Sequence, residues 1–440
     1  MLAIARDPRR RDTKTTGVLV IAIFVLGYLA IAFEHSLQIN KSAIALLTGV
    51  LCWTAYIVPN DATHVVTQLA EHMGDLSGIL FFLLGAMTIV ELIDAHDGFE
   101  LITSRVTTRS RRKLLLVIAV FSFVLSAVLD NLTTSIVMMS LTRKLVSDAR
   151  DRMYYGGAII IAANSGGVWS PIGDVTTTML WIGGHITTTH IIKSLLLPAF
   201  VSVAVPVAWM GVQMRGDIAS PMLAETTHKN LPTTPLERKL VLFTGMGVLV
   251  LVPVFKTLTH LPPFAGILLG LGLLWTLTEL IHKRKNDENR SALSVSAALQ
   301  RIDAPSVLFF LGILLAISAL ESAGYLHGLA AWMERAIGNV DVITMSIGLS
   351  SAIVDNVPLV AAAQGMYPLT TFPPDHHFWT FLAYCAGTGG SILIIGSAAG
   401  VAVMGIQQIS FGWYLKRISL PALVGYLAGA GVYLALVYAT

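Results

Sequence analysis

"AVLDNLTTS", Ala127–Ser135, lies in an apolar run that extends from Leu114 to Thr142. At its centre an aspartate and an asparagine stand side by side, Asp130-Asn131. "AIVDNVPLV", Ala352–Val360, repeats the pair as Asp355-Asn356 inside a second long apolar stretch, 340–370. An ionisable group at membrane depth costs several kcal/mol, so it marks a functional site by default.

The surroundings are those of a membrane. Of 440 residues, 55% are hydrophobic and only 12% charged, against about 25% charged in a soluble domain. Apolar segments run approximately over 17–33, 43–59, 77–95, 114–142, 155–182, 193–213, 239–255, 263–281, 305–320, 340–370, 378–404 and 419–439. Many reach the roughly 17–25 residues that cross a bilayer as a helix. The chain is read as an all-α polytopic membrane protein, partnered by the lipid bilayer and not by nucleic acid. Met1–Thr16 is basic and precedes an apolar run, but no small-residue cleavage site follows clearly, so Gly17–Phe33 is read as a retained helix. Cys52 and Cys385 lie far apart in apolar segments and are read as small core residues.

The two halves repeat. Ser126-Ala127-Val128-Leu129-Asp130-Asn131 matches Ser351-Ala352-Ile353-Val354-Asp355-Asn356, an offset of 225. "NSGGVWSPIGD", Asn164–Asp174, matches "GTGGSILIIGS", Gly387–Ser397, and Leu197-Pro198-Ala199 matches Leu420-Pro421-Ala422, both at 223. The expected organisation is an N-terminal repeat over 1–213, a cytoplasmic linker over 214–238 and a C-terminal repeat over 239–440. Internal repeats with corresponding broken segments are the sequence signature of secondary transporters.

Each repeat carries two devices. The stretch 114–142 is too long for one untilted crossing, and both of its flanks, "RVTTRSRRK" and "RKLVSDARDR", are basic. Positive charge marks the cytoplasmic side, so the segment is read as a re-entrant hairpin with Asp130-Asn131 at its tip. Its counterpart 340–370 has almost no Lys or Arg at its flanks and is read as entering from outside, which inverts the repeats. The alternative is a single kinked crossing helix with a buried polar pair. The second device is a broken helix, over 155–182 and again over 378–404. Gly166-Gly167, Pro171 and Gly389-Gly390 weaken or break a helix there. Non-helical backbone survives at membrane depth only where it lines a cavity or is buried in protein. Freed carbonyls, the amide of Asn164 and hydroxyls such as Thr388 and Ser391 are hard oxygen donors suited to Na⁺. The competing reading, a small-residue packing face, explains the glycines but not Asp174 beside Pro171.

The Asp-Asn tips, "GGVWSPIGDVTT" and "GTGGSILIIGSAAGVAVMG" resemble the NhaD-type sodium/proton antiporters, over nearly the whole chain from about Leu76. These belong to a superfamily that also holds arsenite, citrate and dicarboxylate carriers. The resemblance implies a homodimeric antiporter of the bacterial inner membrane, and by motif position it implicates Asp130, Asn131, Asn164, Asp174, Thr176, Asp355, Asn356, Ser391 and Ser397. Na⁺ is expected at Asp130, Asn131, Asp174, Asp355 and Asn356.

The residues alone support the same chemistry. Three carboxylates around one midplane cavity raise one another's pKa and titrate as a coupled cluster, and a cation competes with protons for their oxygens. Alternating access would make that competition an exchange of Na⁺, and by extension Li⁺, for H⁺, with the ions as cargo and no cofactor. The rival reading is a Na⁺- or proton-coupled anion carrier of the dicarboxylate, citrate or arsenite type, which the carboxylates would oppose. No Walker loop, HExxH or GxSxG is present, so no enzyme is expected. Glu91 and Glu321, which end matched helices, are read as structural. His376-His377 and Asp94–Asp97 fall in expected loops as solvated charge, with His96 a candidate pH sensor.

Overall fold

The computed structural model describes residues 9–32, 34–103, 108–218, 233–283 and 285–439. Part of the basic flank before Leu114, most of the 214–238 linker and the first eight residues of the basic N-terminus lie outside these. The described residues form α-helices joined by turns, with no strand among them. Six of these helices are long and apolar enough to cross a membrane: Ala62–Ala95, Thr188–Gln213, Pro235–Thr259, Pro263–His282, Ala304–Ser322 and Ser419–Ala439. The chain is a polytopic helical membrane protein.

Two compact units are formed, and each draws on both halves of the sequence. One comprises Met1–Phe81, Asp303–Gly338 and Ala361–Thr371; the other comprises Phe82–Ile302, Asn339–Val360 and Phe372–Thr440. In the first, helices Arg9–Ala32 and Ala304–Ser322 both pack on Lys41–Ile57. The Trp53 indole donates to the Leu315 carbonyl at 2.9 Å and the Tyr56 hydroxyl to the Ser322 carbonyl at 3.0 Å. Cys52 here and Cys385 in the second unit are both buried and free, as core residues.

The helix expected over 77–95 begins fifteen residues earlier, at Ala62. Asp61 Oδ2 accepts from the His64 amide at 2.9 Å and starts it. The segment "ATHVVTQLAEHMGDL" is polar enough to read as a loop, yet it holds no proline and is rich in good helix formers. At 34 residues the helix is about 51 Å long, well beyond a hydrocarbon core of about 30 Å.

The second unit contains the Asp-Asn segments. The run 114–142 is two helices, Arg111–Ser126 and Asn131–Leu145, around a four-residue turn. Both pack on helix Ala149–Gly167. Arg111 pairs with Asp151 at 2.7 Å, near the start of that helix, and Ser126 Oγ donates to the Ala163 carbonyl at 2.6 Å, near its end. The return leg reverses this order: Asn131 meets Asn164 at 3.0 Å, and Arg152 donates to the Val146 carbonyl at 3.4 Å. The two legs are therefore antiparallel, with Asp130-Asn131 at the tip. The other Asp-Asn segment is also helix–turn–helix, Val340–Ser350 and Asn356–Met366.

Both broken helices are present. Ala149–Gly167 is separated from Val175–Ile182, and His377–Gly389 from Ala398–Gln407. The contacts of the two halves recur at the offsets read in the sequence. Ser351 Oγ donates to the Ala386 carbonyl at 2.7 Å, as Ser126 does to Ala163. A Cβ on Gly166 would lie 2.2 Å from the Phe123 carbonyl oxygen, and one on Gly389 would lie 2.1 Å from that of Gly348. Only glycine allows backbone to approach backbone so closely at these two crossings.

Candidate functional site

The first helix break holds Asp174 at the N-cap position of Val175–Ile182, where its side chain caps nothing. The carboxylate is 2% exposed and turns to three neutral donors instead. Asn131 Nδ2 donates to Oδ1 at 3.2 Å and Asn356 Nδ2 to Oδ2 at 3.2 Å. The Thr176 hydroxyl, buried beside it, also donates to Oδ2. Both Asp-Asn tips thus deliver their asparagine, not their aspartate, to one carboxylate.

The network continues through Asn131 Nδ2, which also donates to Asn164 Oδ1 at 3.0 Å. Asn164 Nδ2 in turn donates to Ser391 Oγ and Ser397 Oγ, each at 2.9 Å. Ser397 is the counterpart of Asp174, but it does cap its half-helix, accepting from the Gly400 amide at 3.2 Å. Gly387 is the counterpart of Asn164. A Cβ there would lie 2.2 Å from Val168 and 3.2 Å from Asp174 Oδ2, so the absent side chain leaves room for the carboxylate. The halves repeat in backbone and differ in the groups that carry charge.

The structure thereby gathers Asn131, Asn164, Asp174, Thr176, Asn356, Ser391 and Ser397 into one hydrogen-bonded chain. Three expected residues are placed differently. Asp130 is half-buried and caps Asn131–Leu145, accepting from the Thr133 amide at 2.7 Å and the Thr133 hydroxyl at 2.6 Å. Asp355 accepts from the Val357 amide at 3.3 Å. Both lie within electrostatic range of Asp174 without touching it. The Thr388 hydroxyl is committed to the Tyr384 carbonyl at 2.5 Å.

Other residues support the site without having been singled out. The Tyr414 hydroxyl, from a fully buried ring, donates to the Ser391 carbonyl at 2.7 Å and fixes the second break. A lone tyrosine in "SFGWYLKR" gives no sequence signal of that role. Ser126 and Ser351 stand in the repeated hexapeptides, where the repetition was the available clue. The buried hydroxyls of Thr134, Ser135 and Thr177 have no hydrogen-bond partner among the described residues. Chemically, the site offers one carboxylate, three amides whose N–H groups are turned to acceptors, and several hydroxyls; their oxygens are ligands of the kind hard cations take. Among the described residues no three His, Cys, Asp or Glu side chains converge as a metal cluster.

Among the outlying candidates the histidines differ from expectation. His96 is not solvated but buried, with its Nε2 3.2 Å from that of His282 and its Nδ1 2.6 Å from the Leu92 carbonyl. His376 Nδ1 accepts from the Phe378 amide at 3.2 Å, and His377 lies 3.5 Å from Asp341. Glu91 stands 3.8 Å from Arg301, in keeping with a structural role.

Over residues 28–382 the chain matches the family described as "Citrate transporter". It is 51% identical over 421 residues to "Sodium/proton antiporter 1" of Arabidopsis thaliana, covering 95% of this chain and 72% of that protein. To "Sodium/proton antiporter 2" of the same plant it is 48% identical over 424 residues, 94% of this chain and 98% of the relative. To "Na(+)/H(+) antiporter NhaD" of Alkalimonas amylolytica it is 28% identical over 463 residues, 99% and 93% respectively. These relatives are transporters, not enzymes. The chain belongs to the citrate-transporter family and, within it, to the NhaD-type sodium/proton antiporters.

Proposed function

We propose that the protein exchanges Na⁺, and by extension Li⁺, for H⁺ by alternating access, with Asp174 as the group that the two ions contest. One observation carries the reading. Asp174 is buried, and the described residues that touch its carboxylate are neutral. Burial without a cationic partner disfavours the ionised carboxylate, and its three neutral donors offset only part of that cost. A proton or a cation supplies the rest, and that alternative is the exchange. Asn131, Asn356 and Thr176 orient the carboxylate, while Asn164, Ser391 and Ser397 extend the oxygen-rich surface. Asp130 and Asp355 act on Asp174 through space, as like charges nearby.

The antiparallel hairpin with basic residues at its open end supports a re-entrant insertion from the cytoplasm. Its counterpart then enters from the other side, and the repeats are inverted. No cofactor enters the cycle. A homodimer in a bacterial inner membrane is the arrangement that the resemblance to the NhaD-type antiporters implies, while the relatives of 51% and 48% identity are plant proteins. The family's description keeps one rival in view, an anion carrier for citrate or a similar oxyanion. Against it stands the carboxylate cluster, which repels such cargo.

The test is proton flux in everted vesicles containing the protein. Addition of NaCl or LiCl should collapse an imposed pH gradient, and sodium-free citrate or arsenite should not. Collapse by the anions and none by NaCl would replace this reading with the rival.

A further inference from the structure

The half-helix that carries Asp174 has a second end. Its last turn presents the Trp181 carbonyl, to which Lys256 Nζ donates at 2.7 Å from helix Pro235–Thr259. The same ammonium stands 4.4 Å from the centroid of the Trp181 ring. Trp181 is buried, and Lys256 is half-buried. Lys256 follows the apolar run 239–255 and stands in the last turn of its helix; its ammonium turns to a buried tryptophan there, which makes it a functional candidate. It meets the negative end of a helix dipole whose positive end lies at Asp174.

We propose that Lys256 is a positioning and tuning residue for exchange. It pins the far end of the half-helix and, as a fixed positive charge there, keeps the Asp174 carboxylate's hold on both Na⁺ and H⁺ weak enough for release. The inference rests on the antiport reading above. Asp174 and Trp181 are seven residues, about 10 Å, apart along the helix axis, and Lys256 Nζ lies 2.7 Å beyond, at the Trp181 carbonyl. At an effective dielectric constant of about 20, one charge at that range changes cation binding by up to about tenfold.

Few other charges intervene. Asp130 and Asp355 face Asp174 electrostatically, and buried His185 follows the half-helix. Among the described residues no carboxylate pairs with Lys256. On the helices packed against Pro235–Thr259, Glu91 pairs with Arg301, Glu279 with Arg290, and His96 with His282, while Asp94 lies one turn beyond Glu91. On His377–Gly389, which packs on the half-helix, His377 faces Asp341.

The charge can be separated from the hydrogen bond. Lys256→Gln keeps a donor for the Trp181 carbonyl and removes the charge; Lys256→Met removes both; Lys256→Arg keeps both. Proton flux in everted vesicles is measured against pH and NaCl. Loss of a positive charge strengthens proton and Na⁺ binding together. Gln and Met should therefore shift the pH of half-maximal exchange upward by up to about one unit. Both should also lower the half-saturating NaCl at alkaline pH, and Arg should restore the wild-type values. A purely structural role predicts the opposite sign for NaCl, a higher half-saturation. Gln and Met variants with wild-type profiles, or with raised half-saturation, overturn the proposal. If Met does not accumulate in the membrane, Gln against Arg decides. Absence of Na⁺-dependent flux in the wild type would instead sink the antiport reading itself.

Discussion

Asp174 and Ser397 occupy equivalent places in two similar helix breaks, and their chemistry separates them. Ser397 Oγ accepts from the Gly400 amide at 3.2 Å and caps its half-helix, whereas Asp174 leaves its own half-helix uncapped and faces three neutral donors. Only the carboxylate can alternate between proton and cation. Asp174→Asn should abolish exchange in everted vesicles at matched abundance, while Ser397→Ala should retain it with a several-fold weaker half-saturation for NaCl. Wild-type flux in Asp174→Asn would make Asp174 a structural residue. Asp130 needs a different pair of variants, because it also caps a helix through Thr133. Asparagine caps nearly as well as aspartate, but alanine costs about 1 kcal/mol. Asp130→Asn should therefore keep wild-type thermal stability, lose most Na⁺-dependent flux, and shift any residue of activity to lower pH, since one like charge leaves the cluster. Asp130→Ala should lose stability as well. Equal, full activity in both would assign Asp130 to the cap alone.

At the scale of the element, the hairpin and the breaks depend on close backbone approach. Gly166 and Gly389 sit where an added methyl would fall on a carbonyl oxygen at 2.2 and 2.1 Å, whereas one on Gly74 would meet nothing within 4 Å. Gly166→Ala and Gly389→Ala should each destabilise the detergent-solubilised protein by about 1–3 kcal/mol and impair exchange. Gly74→Ala should be neutral or stabilising, since alanine is the better helix former. A thermal-shift series would decide; equal melting temperatures for all three would mean that the crossings are looser than described. The hairpin also predicts a labelling pattern. Cysteines placed at Arg109 and Arg143 flank its two legs, and an impermeant thiol reagent should reach both from the cytoplasm only. Labelling from opposite faces would make 114–142 a single crossing.

For the whole molecule, ion binding and folding are linked. A ligand that binds only the native state stabilises it by RT ln(1 + [L]/Kd), about 2.7 kcal/mol at a hundredfold excess over Kd. NaCl, compared with choline chloride at equal ionic strength, should raise the melting temperature of the solubilised protein. Protons and Na⁺ compete for one carboxylate, so the increment should be largest at alkaline pH and shrink as pH falls. Asp174→Asn should show no increment at any pH. A sodium effect of equal size at every pH would argue against competition.

What the sequence determined by itself was the class of protein and the place of its breaks. Apolar runs of bilayer length specify helices because backbone groups in lipid must be satisfied internally. A glycine pair with Pro171, and an Asp-Asn pair inside such runs, weaken the helix there. Hence the two helix breaks and the two tips were legible, as was the offset that relates them, and so were Asn131, Asn164, Asp174 and Asn356 as the polar residues that stand there. Other features were not legible. The helical start of Ala62–Ala95 was hidden by polar residues that favour a helix no less than a loop. The solvated reading of His96 failed because its burial depends on His282, 186 positions away. The roles of Tyr414 and Lys256 follow from carbonyls that only distant chain segments bring within reach. Most telling is the division of labour at the tips. Aspartate and asparagine are neighbours in both repeats, and charge alone points to the aspartates as the groups that line the cavity. Tertiary packing turned the asparagines to Asp174 and left Asp130 capping its helix, because side-chain direction at a helix start is set by what crosses there.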